Sequence, residues 1–246
     1  MNSLWDVDTP FIPLFGTDHL LYIGIMLACL TGLLVGRRWV RRNREAMRWT
    51  LLGVSLAQFL TLYAWYVFET GFDLAEALPL HISRVSTILG IAFLATRSRR
   101  VMDVAFYLGL FAYLTFLMPQ RIYPITHVIG WSFLISHIIT ILLPVFAVIA
   151  YGWRPTIPAL WRSFGWFLAY FALVLVVNPL VGGNYFYLRD RPLLHDLPSP
   201  LYEIGSVAVT LLLFWIGYLV ARAILGAADP RHPEPVAGAG GAKAAD

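Results

Sequence analysis

Leu78-Pro79-Leu80-His81-Ile82-Ser83-Arg84-Val85-Ser86-Thr87-Ile88-Leu89-Gly90-Ile91-Ala92-Phe93-Leu94-Ala95-Thr96 is the stretch on which the reading of this chain turns. Its uninterrupted apolar part, Val85–Thr96, covers 12 residues, whereas a helix crossing a bilayer needs about 20. A span here must therefore start near Pro79 and take His81, Ser83 and Arg84 inside. Ionisable groups at that depth are costly, so they require partners, a water-filled cavity or a chemical task, and they mark a functional site by default.

The composition supports a membrane setting. Hydrophobic residues make up 59% of the chain and charged ones 13%, with a mean hydropathy of +0.70, against about 45–50% apolar and 25% charged in soluble domains. Reading outward from the charged interruptions gives seven apolar segments: Leu20–Gly36, Trp49–Phe68, Pro79–Thr96, Val101–Met118, Val128–Tyr151, Leu160–Leu180 and Leu201–Ile224. The expectation is an all-α, polytopic membrane helix bundle of seven spans, occupying residues 18–225. An extracytoplasmic segment, 1–17, precedes it, and an Ala/Gly/Pro-rich tail, 226–246, follows as a disordered cytoplasmic end. With Asp6 and Asp8 and no basic cluster before the first apolar run, the N-terminus does not resemble a cleaved signal.

Seven spans put the termini on opposite sides. The first, third and fifth loops and the tail carry fourteen of the 18 basic residues, while the other face carries only Arg121, Arg189 and Arg191. The positive-inside rule then sets the N-terminus outside and the C-terminus in the cytoplasm of a multi-pass cell-membrane protein. Arginines in short juxtamembrane loops face the anionic inner leaflet. The high pI of about 9.3 is thus explained by membrane lipids as partners, without a nucleic acid. The lone Cys29 lies mid-span and reads as a small packing residue.

With that orientation, most of the unusual polar residues fall near the outer level. His19 opens the first segment, Glu69 closes the second, and His81, Ser83 and Arg84 open the third. His127 and His137 lie at and below the outer end of the fifth, Asn178 and Asn184 near the outer end of the sixth, and Glu203 at the start of the seventh. Nothing comparable stands out in the inner half. At about 1.5 Å per residue, His137 sits about 13 Å below Val128. The pattern predicts a polar cavity open to the outer leaflet, with His137 toward its floor. His81 and Arg84 are one helical turn apart. In a continuous helix, His81 and Ser83 would point about 200° apart. The histidines lack ligand spacing on any one helix, so no metal and no other cofactor is expected. After the sixth segment, Asn178-Pro179 and Gly182-Gly183 break the helix and release backbone groups that a cavity can satisfy.

Four motifs in order carry a resemblance: His19 opening the first helix, Leu78-Pro79-Leu80-His81 opening the third, Ser136-His137 in the fifth, and Asn184-Tyr185-Phe186-Tyr187-Leu188 with Pro192 after the sixth. Over about Phe15 to Tyr218 the chain resembles the YwaF family of bacterial integral membrane proteins, which is similar to a eukaryotic family of transmembrane acyltransferases that build ether phospholipids. The resemblance implies a polytopic fold whose histidine motifs face a shared pocket, and lipid acyl transfer as the activity. The chain departs from the pattern at the nucleophile. Bacterial relatives read Leu-Pro-Leu-His-Leu-Cys where Ser83 stands here, and the eukaryotic enzymes place a cysteine beside the motif histidine where this chain has Leu80.

Two functions stay open. In the first, a lipid acyltransferase or lipid ester hydrolase uses Ser83 as nucleophile and His137 as general base, with His81 orienting the headgroup. Arg84, Asn184, Tyr185, His19, Asn178 and Glu69 would then form the substrate-binding set, with Arg84 and Asn184 on the oxyanion or phosphate. In the second, the protein is a non-catalytic binder or transporter of a lipid or small anion, with Arg84 and the histidines as the clamp.

Overall fold

The computed structural model describes residues 4–119, 121–191 and 196–226. The proposed disordered tail beyond Gly226, and Pro192 of the last motif, lie outside these residues. The described residues form helices α1 (Thr17–Val35), α2 (Arg37–Arg42), α3 (Arg44–Glu69), α4 (Leu74–Ala77), α5 (Ile82–Thr96), α6 (Arg99–Leu117), α7 (Val128–Tyr151), α8 (Ile157–Val181) and α9 (Ser199–Leu225). A 3-10 turn, Tyr185–Tyr187, lies between the last two, and there is no strand among the described residues.

Six of these helices, α1, α3, α6, α7, α8 and α9, are long and apolar enough to cross a membrane. The expected third span is the one that differs. Pro79 disfavours helical backbone at the residue before it, and Leu78 is extended at φ −58°, ψ 147°. His81 is extended as well, so α5 begins only at Ile82 and holds 15 residues. That is about 22 Å of helix, short of the about 30 Å of a hydrocarbon core. The remainder of the segment is the irregular stretch 78–81, preceded by one-turn α4.

α6 and α7 form the centre of the bundle. α6 packs against α5, α7, α8 and α9, while α7 also contacts α1, α2, α3 and α5. Met102, Tyr107, Leu134, Phe146, Ala147 and Phe167 are buried between them and their neighbours. α9 is peripheral: Thr210 and Phe214 are its only buried side chains, and Ile204, Val209, Leu212, Ile216, Leu219 and Ile224 are exposed. Such a large outward apolar surface is expected of a lipid-facing helix and unexpected of a soluble one.

Local chemistry fixes the helix ends. Thr156 caps α8 by accepting from the Ala159 amide at 3.2 Å, with Pro158 in the first turn. Gly152 (φ +63°) and Gly182 (φ +68°) end α7 and α8 in the left-handed conformation that costs glycine least. His127 caps α7 through Nδ1, accepting from the Ile129 amide, and its Nε2–H donates to the Asp6 carbonyl.

The chain reverses so that one end of the bundle gathers residues 70–81, 118–119, 121–127 and 182–191 around the N-terminal segment, as the bonds Ile12 N to Ile122 O and Val128 N to Leu4 O show. The opposite end gathers the arginines of α2, of the first turns of α3 and α6, and of the α7–α8 connection. That arginine end has a polar cluster which contradicts the sequence reading of an unremarkable inner half. Asp103, buried in α6, pairs with Arg162 of α8 and accepts from Trp153 Nε1 at 2.9 Å.

Candidate functional site

Non-helical backbone at membrane depth is tolerated only where protein or a water-filled cavity satisfies its polar groups. Along the stretch 74–81 three side chains meet the backbone groups. Arg84 donates from Nη1 to the carbonyls of Glu76 and, at 2.9 Å, Leu78, and from Nη2 to the Tyr66 hydroxyl. The Tyr185 hydroxyl donates to the Leu74 carbonyl at 2.6 Å and accepts from the Leu78 amide at 3.0 Å. The Tyr170 hydroxyl donates to the Leu80 carbonyl at 2.7 Å. Arg84 therefore acts as a brace between α3 and the entry to α5, with its guanidinium 4.7 Å above the Tyr66 ring.

Tyr185 is held in turn by Asn178. The asparagine amide donates to the Tyr185 carbonyl and its oxygen accepts from the Tyr185 amide, both at 2.9 Å. This reciprocal pair is what the Asn-Pro helix end makes possible. A Cβ on Gly183 would lie 3.1 Å from the Ala75 carbonyl, so glycine lets this loop close onto α4. Phe186 and Tyr187 then take left-handed φ values of 59° and 53°, an unfavourable conformation for bulky residues. Packing of Phe186 against Phe111, Phe167 and Phe171, with centroids 5.3–5.6 Å away, holds the loop there.

Inside this frame lies a cavity of about 840 Å³ walled by α3, the start of α5, α7 and the loops at that end. His81, Ser83, Arg84, His137 and Asn184 line it together. Tyr185 lies behind the wall, fully buried, with its ring edge-on to His81 at 4.8 Å. Asn178 is a layer deeper. His19 does not reach the cavity: its Nδ1 accepts from the Phe15 amide and its Nε2–H donates to the Phe116 carbonyl, so both ring nitrogens are used in pinning α1. Glu69 ends α3 on the exposed surface and is not among the lining residues.

The two cavity histidines are held differently. His81 caps α5 from extended backbone, so the helical angle separating it from Ser83 does not apply. Its Nε2 lies 3.4 Å from Glu76 Oε2. His137 sits on α7, 5% exposed. Its Nδ1–H donates to the Phe133 carbonyl at 2.9 Å, and the Ser136 hydroxyl is 3.3 Å from the same nitrogen. That bond leaves Nε2 as the ring's lone-pair nitrogen, and Nε2 is buried without a partner among the described residues.

Asn184 organises the mouth, its amide oxygen accepting from the Arg189 and Asp190 amides and its amino group donating to the Asp190 carbonyl. The arginines at the mouth are unequal. Arg191 is held by Ser199, Glu203 and the Tyr202 ring. Arg121, also lining the cavity, has neither hydrogen bond nor ion pair among the described residues; the Phe11 ring lies 5.5 Å away, and Glu76 is within reach of its charge. Sequence reasoning passed over it as a loop charge and over Gln58 and Ser132 altogether, although a lone glutamine amid the apolar run of α3 was a readable signal. Among the described residues no three His, Cys, Asp or Glu side chains are grouped so as to hold a metal ion.

No curated protein and no solved structure matches the chain. A family model does match, over residues 14–222, taking in all the helices but the last turn of α9, and the chain belongs to the TMEM164 family.

Proposed function

We propose that this membrane-embedded protein is a lipid acyltransferase or lipid ester hydrolase whose site is the cavity between α3, α5 and α7. The supporting observation is His137 Nε2: a lone-pair nitrogen, buried in the cavity wall and oriented by its other nitrogen, is how a general base is presented. Ser83 shares the cavity. Its Oγ attacks the carbonyl carbon of an acyl ester while its proton passes to His137 Nε2. The ester C–O bond then breaks, the departing alcohol takes that proton, and the acyl group is left on Ser83. A second alcohol, or water, gives its proton to His137 and attacks the acyl-serine; the acyl–Oγ bond breaks, Ser83 Oγ takes that proton from His137, and a new ester or a free acid leaves with both residues restored. Since Arg84 and Asn184 are engaged with backbone, Arg121 is the better contact for an anionic headgroup. The likeness to the YwaF proteins and to the ether-lipid acyltransferases supports the same reaction class.

The topology that suits this reading counts α5 as a seventh, shortened span completed by the stretch 74–81. It places the N-terminus outside and the C-terminus in the cytoplasm of the cell membrane, so that the cavity opens toward the outer leaflet. The fourteen-to-three division of basic residues supports it. A reporter fused at Gly226 should read as cytoplasmic; an external signal overturns the orientation.

The activity is tested with purified protein, a phospholipid acyl donor and a lysophospholipid acceptor. His137→Ala should lower turnover by about 10²–10⁴-fold, as for loss of a general base, while the protein remains folded. Ser83→Ala abolishes product if the serine is acylated and spares it if the acceptor attacks directly. Absence of any His137-dependent product leaves the second reading, a lipid or small-anion binder or transporter, which the unpaired Arg121 at the mouth favours.

A further inference from the structure

Gln58, 6% exposed, projects from α3 into the cavity wall and donates from Nε2 to Ser132 Oγ on α7 at 2.6 Å. Its Oε1 is buried and has no partner among the described residues, and His137 Nε2 is in the same state. Gln58 lies 11 residues from the Glu69 end of α3 and His137 nine from the Val128 end of α7. At 1.5 Å per residue, both are about 13–16 Å below that end of the bundle. Two unpaired acceptors, on facing helices at one depth, therefore mark the cavity floor. Buried polar groups are normally hydrogen-bonded, and each exception asks for an explanation.

We infer that Gln58 and His137 form a hydroxyl-recognition site on the cavity floor, which takes the free hydroxyl groups of a glycerolipid. Two hydroxyls suit the two positions: one donates to His137 Nε2 and the other to Gln58 Oε1, and each keeps lone pairs, one of which can accept from the neighbouring Ser132 hydroxyl. An ether or alkyl group of the same size supplies no donor and leaves both acceptors bare. Gln58 is thus a positioning residue for an alcohol, and the inference rests on the reading of the cavity as a lipid site.

The probes are 1-monooleoylglycerol and its 2,3-dimethyl ether, which match in chain and differ in two donors. Binding to the purified full-length protein in detergent is measured directly, with no need for turnover. The wild type should bind the diol about tenfold more tightly, the usual worth of one or two hydrogen bonds. Gln58→Leu should reduce that ratio to about threefold, and with His137→Ala added the ratio should approach one. A merely structural Gln58 would weaken both probes equally and leave the ratio unchanged, which overturns the inference. Where Gln58→Leu does not fold, Gln58→Met supplies the same comparison in an unbranched side chain of similar length. Equal wild-type binding of diol and diether means that the floor holds only water; the inference then fails while the lipid reading stands. Failure of both probes to bind defeats the lipid reading and this inference together.

Discussion

Both ends of α5 are held by an arginine, and the two arginines are set in opposite surroundings. At the arginine end, Arg48 of α3 donates to the Leu94 and Ala95 carbonyls, is paired with Glu45 at 2.9 Å and lies over the Trp49 ring. Nearby, Asp103 is neutralised by Arg162. At the cavity end, Arg84 braces the carbonyls before α5, whereas among the described residues His137 Nε2 and Gln58 Oε1 have no hydrogen-bond partner and Arg121 has neither hydrogen bond nor ion pair. A polar group whose valences are all met by its own chain is building the fold. Those left unmet are where a ligand gains most by binding.

The contrast breaks most visibly at Arg48. It is buried, and its removal strips the last carbonyls of α5 of their donor while leaving Glu45 without its closest cation. Arg48→Ala should therefore cost about 3 kcal/mol, chiefly from the Leu94 and Ala95 carbonyls left without their donor, the half-exposed Glu45 adding little. The loss would be read as a lower unfolding midpoint in detergent, with activity per folded molecule preserved. If Arg48→Ala is as stable as the parent, the arginine end does not secure α5. A smaller effect is expected at Tyr185→Phe, which removes one hydroxyl that both donates to Leu74 and accepts from Leu78. Two backbone groups beside the cavity lose their partner, for a cost of about 1–3 kcal/mol. Because this wall carries His81, ligand affinity should fall with stability here. Unchanged affinity would mean that the 74–81 stretch is not part of the site.

The helices were legible in the sequence where apolar runs stop at arginines or at Gly and Pro. The predicted Val128–Tyr151 matches α7, and Leu201–Ile224 falls two residues inside α9 at its start. The cavity could be anticipated because His81, Ser83, Arg84, His137 and Asn184 all fall toward one end of their segments, and that follows from residue counts. What counting could not supply was the partner of each polar atom. Arg84 and Tyr185 answer backbone carbonyls, which every residue has and no spacing marks. His19 falls toward the same end yet spends both nitrogens on backbone. Arg48 was read as a loop charge because it precedes the apolar run, whereas α3 begins at Arg44 and carries it inward. The angle between His81 and Ser83 was reckoned for a helix beginning near Pro79, whereas α5 begins at Ile82.

Arg121 gives the smallest effect on folding and the sharpest version of the comparison. It is the mouth arginine without hydrogen bond or ion pair among the described residues, and its backbone sits at φ +51°, where a side chain is disfavoured and glycine is not. Arg121→Ala should change stability by less than about 0.5 kcal/mol, as for a substitution that removes no buried contact. Arg121→Gly should stabilise by about 0.5 kcal/mol through relief of that conformation, partly offset by the greater freedom of glycine in the unfolded chain. Both variants should nonetheless bind lipids with anionic headgroups more weakly than the parent, and the difference should shrink as salt is raised, because the contact is a solvent-accessible charge. Binding of an uncharged monoacylglycerol should not change. A variant that lost stability but kept its preference for anionic headgroups would place Arg121 with Arg48 and Arg84 among the braces, and the division between matched and unmatched arginines would not hold.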